Sequence, residues 1–278
     1  MNNLIRYGGT YLINNLLEGR MSAASICKFN DPFELHHRPG RFPTEEEENV
    51  RVKAVARRNK EIFEAKVLLS GGNLSRAKRK VNKAIKKKTG NQFKGFTEEQ
   101  IDSQRERSFR IFDEAAKVIC CTLDQPPHPG EIPMWGYYAQ DHNGIRIHYR
   151  PEFYQRPGIL VIPMEYEVNP VEFGFPETTP KGMRGFVDKI VKTKSTGWRH
   201  EAEIRLIVPV ALLSQASDGI GIQRWWLPTE ERHVARVDLG IKFDNSDLLS
   251  ELRSKLPSVE IFKTQKDPNA FLCQYERI

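Results

Sequence analysis

The sequence predicts an α+β fold: a sheet-rich core late in the chain, a short strand and helix at its start, and a block of helix between them. Three observations lead there. From Val118 onward, short runs rich in β-branched and aromatic residues are separated by Pro and Gly, as strands are by turns. From about Thr44 to Lys117 the residues read as helix, broken at SGGN. The 278 residues are 39% hydrophobic and 10% aromatic, enough to bury a core as one large or two small domains. A single domain over 1–278 is expected, with 44–117 as a basic helical insertion.

The elements follow in order. LIRY reads as a first strand, and residues 10–18 as a helix with Leu12, Leu16 and Leu17 on one face, stopped at Gly19. FNDPFE is rich in turn residues. Thr44 and Glu47 have the spacing of a capping box. Helix is expected from there to Leu69, then over about 74–88 and 97–117. VICCTL, GIRIHY, ILVIPMEY, EIRLIVPV, IQRWWL and VARVDLG are expected strands, too short for helices. SDLLSELRSKL has a helical apolar stripe behind a Ser or Asp cap, and VEIF and FLCQYE supply two last strands.

The net charge is +7, but it is not evenly spread. From Arg76 to Lys94 the chain carries nine basic residues and no acidic one, so this stretch holds +9 and leaves the remainder at −2. Arg76, Arg79, Lys80, Lys83, Lys86, Lys87 and Lys88 are its candidate contacts to a polyanion such as RNA or DNA; a solvated helix face would give the same run. The four cysteines, Cys27, Cys120, Cys121 and Cys273, form no C-x-x-C pair, and no disulfide or structural metal is expected from them. No run is apolar enough for a bilayer span and the N-terminus lacks a leader pattern, so a cytoplasmic protein without membrane contact is expected. Walker A, G-x-G-x-x-G, H-E-x-x-H and G-x-S-x-G motifs are absent, which removes the sequence basis for kinase, Rossmann dehydrogenase, zinc protease and hydrolase readings.

Three clusters carry polar groups that a purely structural chain would not need. Arg6, beside Tyr7, can hold a phosphate or ribose with its two-pronged guanidinium, although a surface ion pair would look alike. In MWGYYAQDHNGIRIHY, residues 134–149, Trp135, Tyr137 and Tyr138 offer stacking faces and His142 sits in a turn. Core packing explains Trp135 equally well. In WRHEAEIR, residues 198–205, strand alternation would set Glu201, Glu203 and Arg205 on one face. That suits acid, base or ribose-anchoring work, and an exposed charge ladder is the other reading.

With FNDPFE, M-W-x-x-Y-A-x-x-H-x-G-I-x-I at 134–147 and W-x-x-E-x-E-x-R at 198–205, the chain resembles a bacterial family of domains of unknown function. More distantly it is similar to mono-ADP-ribosyltransferases, whose sites place an Arg or His on an early strand, an aromatic or Ser-rich motif in the middle and a Glu or E-x-E on a late strand. It departs from them in lacking a Ser-Thr-Ser motif and in placing Arg205 after the E-x-E pair.

The resemblance implies an ADP-ribosyltransferase-like fold, with a mixed or antiparallel sheet, that takes NAD as co-substrate and needs no metal. It implies Glu203 as the transition-state carboxylate and Glu201 as the group that orients or deprotonates the acceptor. Arg6, Tyr7, Trp135, Tyr138, His142 and Arg205 form the implied NAD-binding set. The acceptor is a macromolecule such as RNA or DNA, and a toxin or phage-defence role would bring a cognate antitoxin or immunity partner. Two other classes stay open: a nucleic-acid-binding or nuclease-like protein without NAD activity, and a catalytically silent interaction module.

Overall fold

The computed structural model describes residues 2–29, 35, 37–39, 44, 46–47, 50, 60, 75, 79, 98–173, 180–217 and 223–278. The chain divides into two compact units. One comprises Met1–Arg38, Arg107–Val171 and Arg184–Ile278; the other comprises Pro39–Glu106 and Glu172–Met183, so it draws on a later segment as well as on the expected insertion.

The first strand, β1 (Leu4–Gly8), leads into helix α1 (Tyr11–Leu17) and β2 (Arg20–Ala23). Leu12, Ile13 and Leu16 of α1 are buried, and the helix stops at Gly19, whose φ of +66° a residue with a Cβ rarely adopts. After β3 (His37–Pro39), the spacing of Thr44 and Glu47 proves to be a reciprocal cap. The Glu47 amide donates to Thr44 Oγ1 at 3.3 Å, and the Thr44 amide to Glu47 Oε2 at 2.9 Å.

Helix α2 (Glu98–Ala115) runs directly into β4 (Ala116–Leu123), so the strand begins two residues earlier than its β-branched run suggests. Then come helix α3 (Glu131–Tyr138), β5 (Ile145–Tyr149), the single turn α4 (Pro151–Tyr154), β6 (Leu160–Pro163), β7 (Glu165–Glu167) and β8 (Val171–Phe173). ILVIPMEY is therefore two strands, parted after Pro163, which has no amide hydrogen to continue a ladder.

The remaining elements are α5 (Pro180–Val191), β9 (Thr193–Ser195), β10 (Glu203–Pro209), β11 (Ser214–Ser217), β12 (Gln223–Pro228), β13 (Val234–Leu239), α6 (Ser246–Lys255), β14 (Glu260–Lys266) and β15 (Cys273–Arg277). The cap of α6 is Asn245, one residue before the expected Ser or Asp: its Oδ1 accepts the Leu248 amide at 2.9 Å.

Eight strands form one sheet in the order β15-β14-β13-β5-β1-β4-β10-β6. Neighbours run antiparallel except β13 and β14, which are parallel and joined through α6. The mixed α+β class is thus observed. Alternation along β5 sends Ile145, Ile147 and Tyr149 into the apolar core, where Leu4, Leu206, Val237 and Leu252 also lie, and leaves Arg146 and His148 on the other face. Smaller sheets run β11-β12-β2, β3-β8 and β7-β9.

No helix among the described residues is long and apolar enough to cross a membrane. Arg79 is helical and exposed. Arg76, Lys80, Lys83, Lys86, Lys87, Lys88 and Asn30–Glu34 of FNDPFE lie outside the described residues.

Candidate active site

Pairing in the sheet sets Ile5 of β1 and Glu203 of β10 on opposite sides of Thr122 in β4. The first turn of β10 is thereby brought beside the start of the chain. Residues 198–205 do not form one strand. Thr196–Glu201 is a 3-10 turn, Ala202 takes the left-handed conformation (φ 44°, ψ 46°), and the strand begins at Glu203. The alternation expected for Glu201 and Glu203 therefore does not hold. Instead, the left-handed Ala202 stands between the turn and the strand, and both carboxylates reach the same cation.

That cation is Lys194 on β9. Its Nζ donates to Glu201 Oε2 at 2.5 Å and to Glu203 Oε2 at 2.7 Å. Lys194, Glu201 and Glu203 are 8%, 3% and 5% exposed. The second oxygens are also held: Tyr138 donates to Glu201 Oε1 at 2.5 Å and Arg205 Nε to Glu203 Oε1 at 2.7 Å. The Glu203 amide donates to the Tyr166 hydroxyl at 2.7 Å, and the Thr122 hydroxyl donates to the Glu201 carbonyl.

Two carboxylates thus face two cations in a buried cluster, which removes most of the cost of an unpaired buried charge. Burial still pushes the Glu203 carboxyl above its usual range, against the pull of Lys194. Burial also opposes the Lys194 ammonium, but Glu203 and Glu201 outweigh it and its pKa rises.

The two carboxylates and Lys194 line a cleft of about 320 Å³, with Arg6, Lys28, Tyr11 and Phe29 also on its walls. Arg6 is half-buried and oriented by Ser22, donating from Nη1 to its carbonyl at 2.8 Å and from Nη2 to Oγ at 3.0 Å. Of the expected site residues, Arg6, Tyr7, Tyr138, Glu201 and Glu203 meet at this cleft.

The others go elsewhere. Arg205 is fully buried behind Glu203 and donates to the Val191 carbonyl at 2.6 Å. Trp135 is fully buried and packs edge-on against Tyr7, ring centroids 5.3 Å apart at 88°, so it has no face to offer a ligand. His142 lines a different cavity.

Sequence reasoning missed Lys194, whose three-residue strand carries no periodic signal. It also missed a second ionic cluster on the polar face of β5. Arg146 donates to Asp238 Oδ2 and to Glu131 Oε1, both at 2.7 Å, while His148 Nε2 lies 2.7 Å from Asp238 Oδ2. Burial opposes the Asp238 charge, yet the His148 bond and then Arg146 hold its pKa down at about 2. The Tyr275 hydroxyl donates to Glu131 Oε2 at 2.9 Å, tying β15 to α3. Among the described residues no group of His, Cys, Asp and Glu could hold a metal ion.

Comparison of the chain with family models, with curated proteins and with solved structures gave no significant match.

Proposed function

We propose that this chain cleaves the nicotinamide glycosidic bond of NAD and transfers ADP-ribose to a macromolecular acceptor. The observation that carries this reading is the convergence of Glu201 and Glu203 on Lys194 in the wall of a cleft that Arg6 shares. The C1′–N bond breaks with its electron pair leaving on nicotinamide, and positive charge develops on the ribose. A buried carboxylate that accepts a ribose hydroxyl stabilises this charge more in the transition state than in the ground state.

Glu203 takes that role. A carboxylate offers about four lone-pair sites, so the bonds from Lys194 and Arg205 leave it capacity for a hydroxyl. Arg6 binds the pyrophosphate, Tyr11 and Phe29 supply aromatic surface for the bases, and Glu201 takes the proton from the attacking group. Water in the acceptor's place would give plain hydrolysis.

The test is incubation with labelled NAD together with RNA, DNA or protein. Glu203→Gln should lower nicotinamide release about 10²-fold or more, and Glu201→Gln should lower transfer more than hydrolysis. Wild-type rates in both variants would overturn the site. The Arg76–Lys94 stretch is the proposed acceptor contact: replacing Lys86, Lys87 and Lys88 with Ala should flatten the salt dependence of RNA or DNA binding and leave NAD hydrolysis intact.

A further inference from the structure

A second cavity, of about 710 Å³, shares no lining residue with the carboxylate cleft. Its volume lies within the range of roughly 300–1,000 Å³ usual for small-molecule sites. Ile132, Ile241 and Leu272 give it apolar walls, and His142, Thr264 and Phe271 also line it.

Three features mark it as built for a ligand. Thr264 is only 3% exposed, yet its hydroxyl oxygen is buried without a hydrogen-bond partner. A hydroxyl left so is unfavourable unless something else enters to satisfy it. Phe271 is 90% exposed, although its loop is tied down: Asp267 Oδ1 accepts the amides of Asn269 at 2.7 Å and Ala270 at 3.1 Å, and Gln274 Nε2 donates to Asp267 Oδ2 at 2.8 Å. An apolar ring is therefore displayed on a fixed support.

The third feature is the backbone that carries His142. Gln140, Asp141 and His142 lie at φ of 49°, 52° and 69°, three successive side-chain-bearing residues in the left-handed region. The turn is over-determined. The Gly144 amide donates to the Ala139 carbonyl at 2.7 Å and the Lys242 amide to the His142 carbonyl at 3.0 Å, while a Cβ on Gly240 would come within 2.2 Å of that same oxygen. The His142 ring makes no hydrogen bond among the described residues. Burial, and then the Lys242 charge, hold its pKa below the usual histidine range, so at neutral pH it presents one donor and one acceptor.

The lining carries two lysines, Lys242 and Lys266, and two aspartates, Asp141 and Asp267, so its formal charge is zero, and the Lys242 ammonium pairs with Asp141 at 2.7 Å. A net ion is therefore not what the walls select. The geometry points to a binding site for a neutral planar heteroaromatic ring of nucleobase type, stacked on Phe271 and held along its donor–acceptor edge by His142 and Thr264.

Calorimetric titration of the full chain with adenosine, guanosine, cytidine and uridine tests this, with benzyl alcohol as a ring that lacks such an edge. At least one nucleoside should bind, and Phe271→Ala and Thr264→Val should each weaken it about tenfold, while Glu203→Gln leaves it unchanged. Phe271 is a surface residue, so its variant keeps the test valid even if Thr264→Val fails to fold. Any of four results overturns the inference: no binding at about 10 mM nucleoside, equal affinity in Phe271→Ala, equal affinity for benzyl alcohol, or loss in Glu203→Gln. The last would assign the nucleoside to the carboxylate cleft instead.

Discussion

Lys194 Nζ lies 2.7 Å from Glu203 Oε2, and the same nitrogen holds Glu201, so one ammonium on a three-residue strand bridges carboxylates from a 3-10 turn and from the central sheet. The pairing shields two like charges that would otherwise repel one another at close range. It also explains why the site needs β9, which joins no strand of the eight-stranded sheet.

Removing that cation should therefore be severe. Lys194→Met leaves Glu203 with Arg205 as its cation and Glu201 with only the Tyr138 hydroxyl, and a loss of about 3–5 kcal/mol at neutral pH is expected from urea denaturation. The deficit should shrink as the pH falls, because protonating a stranded carboxyl removes the charge that lacks a partner. Lys194→Arg should lose less. Equal midpoints for Lys194→Met and wild type would show that the cluster does not support the fold.

Arg6 faces the carboxylate cleft already oriented by Ser22. Arg6→Ala should raise the NAD dissociation constant about tenfold or more, the worth of one charge-assisted contact to phosphate. Ser22→Ala should give a smaller rise, since the carbonyl bond to Arg6 remains. Calorimetry reads both, and unchanged affinity in Arg6→Ala would remove the arginine from the site.

Asp238 offers a pH test. Its folded pKa is depressed from 3.8 to about 2, so its contribution to stability is present above the ordinary aspartate range and is lost as the pH falls toward 2. Asp238→Asn should cost about 2 kcal/mol or more at pH 7, and the stabilities of variant and wild type should converge on acidification through that window. A constant gap down to the acid limit would mean that the charge is not what stabilises.

Two glycines make a matched pair. A Cβ on Gly144 would lie 2.2 Å from the Gly8 carbonyl oxygen, whereas one on Gly185, within α5, would meet nothing within 4 Å. Gly144→Ala should destabilise by about 2–3 kcal/mol, because backbone must move to admit it. Gly185→Ala should stabilise by about 0.5–1 kcal/mol through helix propensity. Thermal melts of the two variants should shift in opposite directions.

Much of this was legible in the residues, and the exceptions have physical causes. The strands after Val118 and the two terminal helices announce themselves by period and caps. That Glu201 and Glu203 lie side by side was also readable, but for a different reason: alternation suggested it, whereas they meet at Lys194 across the left-handed Ala202. Trp135 looked available for stacking, yet α3 turns it wholly inward. The Arg146–Asp238 pair hid because its partners lie 92 positions apart and meet only through the register of β5 on β13, which no local pattern encodes. The expected polyanion contacts other than Arg79 fall outside the described residues.

The central place of β1 in the sheet bears on how the chain reaches its fold. Its partners lie at residues 122–123 and 145–149, so Leu4 and Ile5 leave the ribosome long before either neighbour exists. At about 5–20 residues per second, that interval is on the order of ten seconds. Closing so long a loop adds little to the equilibrium cost, which grows by only about 0.6 kcal/mol per doubling of length, but it delays the step. During the delay an apolar segment that the finished molecule seals between β4 and β5 stays open to stray strand edges. Shielding that segment during synthesis should therefore matter to the yield of native protein in a way that the strength of the completed sheet does not reveal.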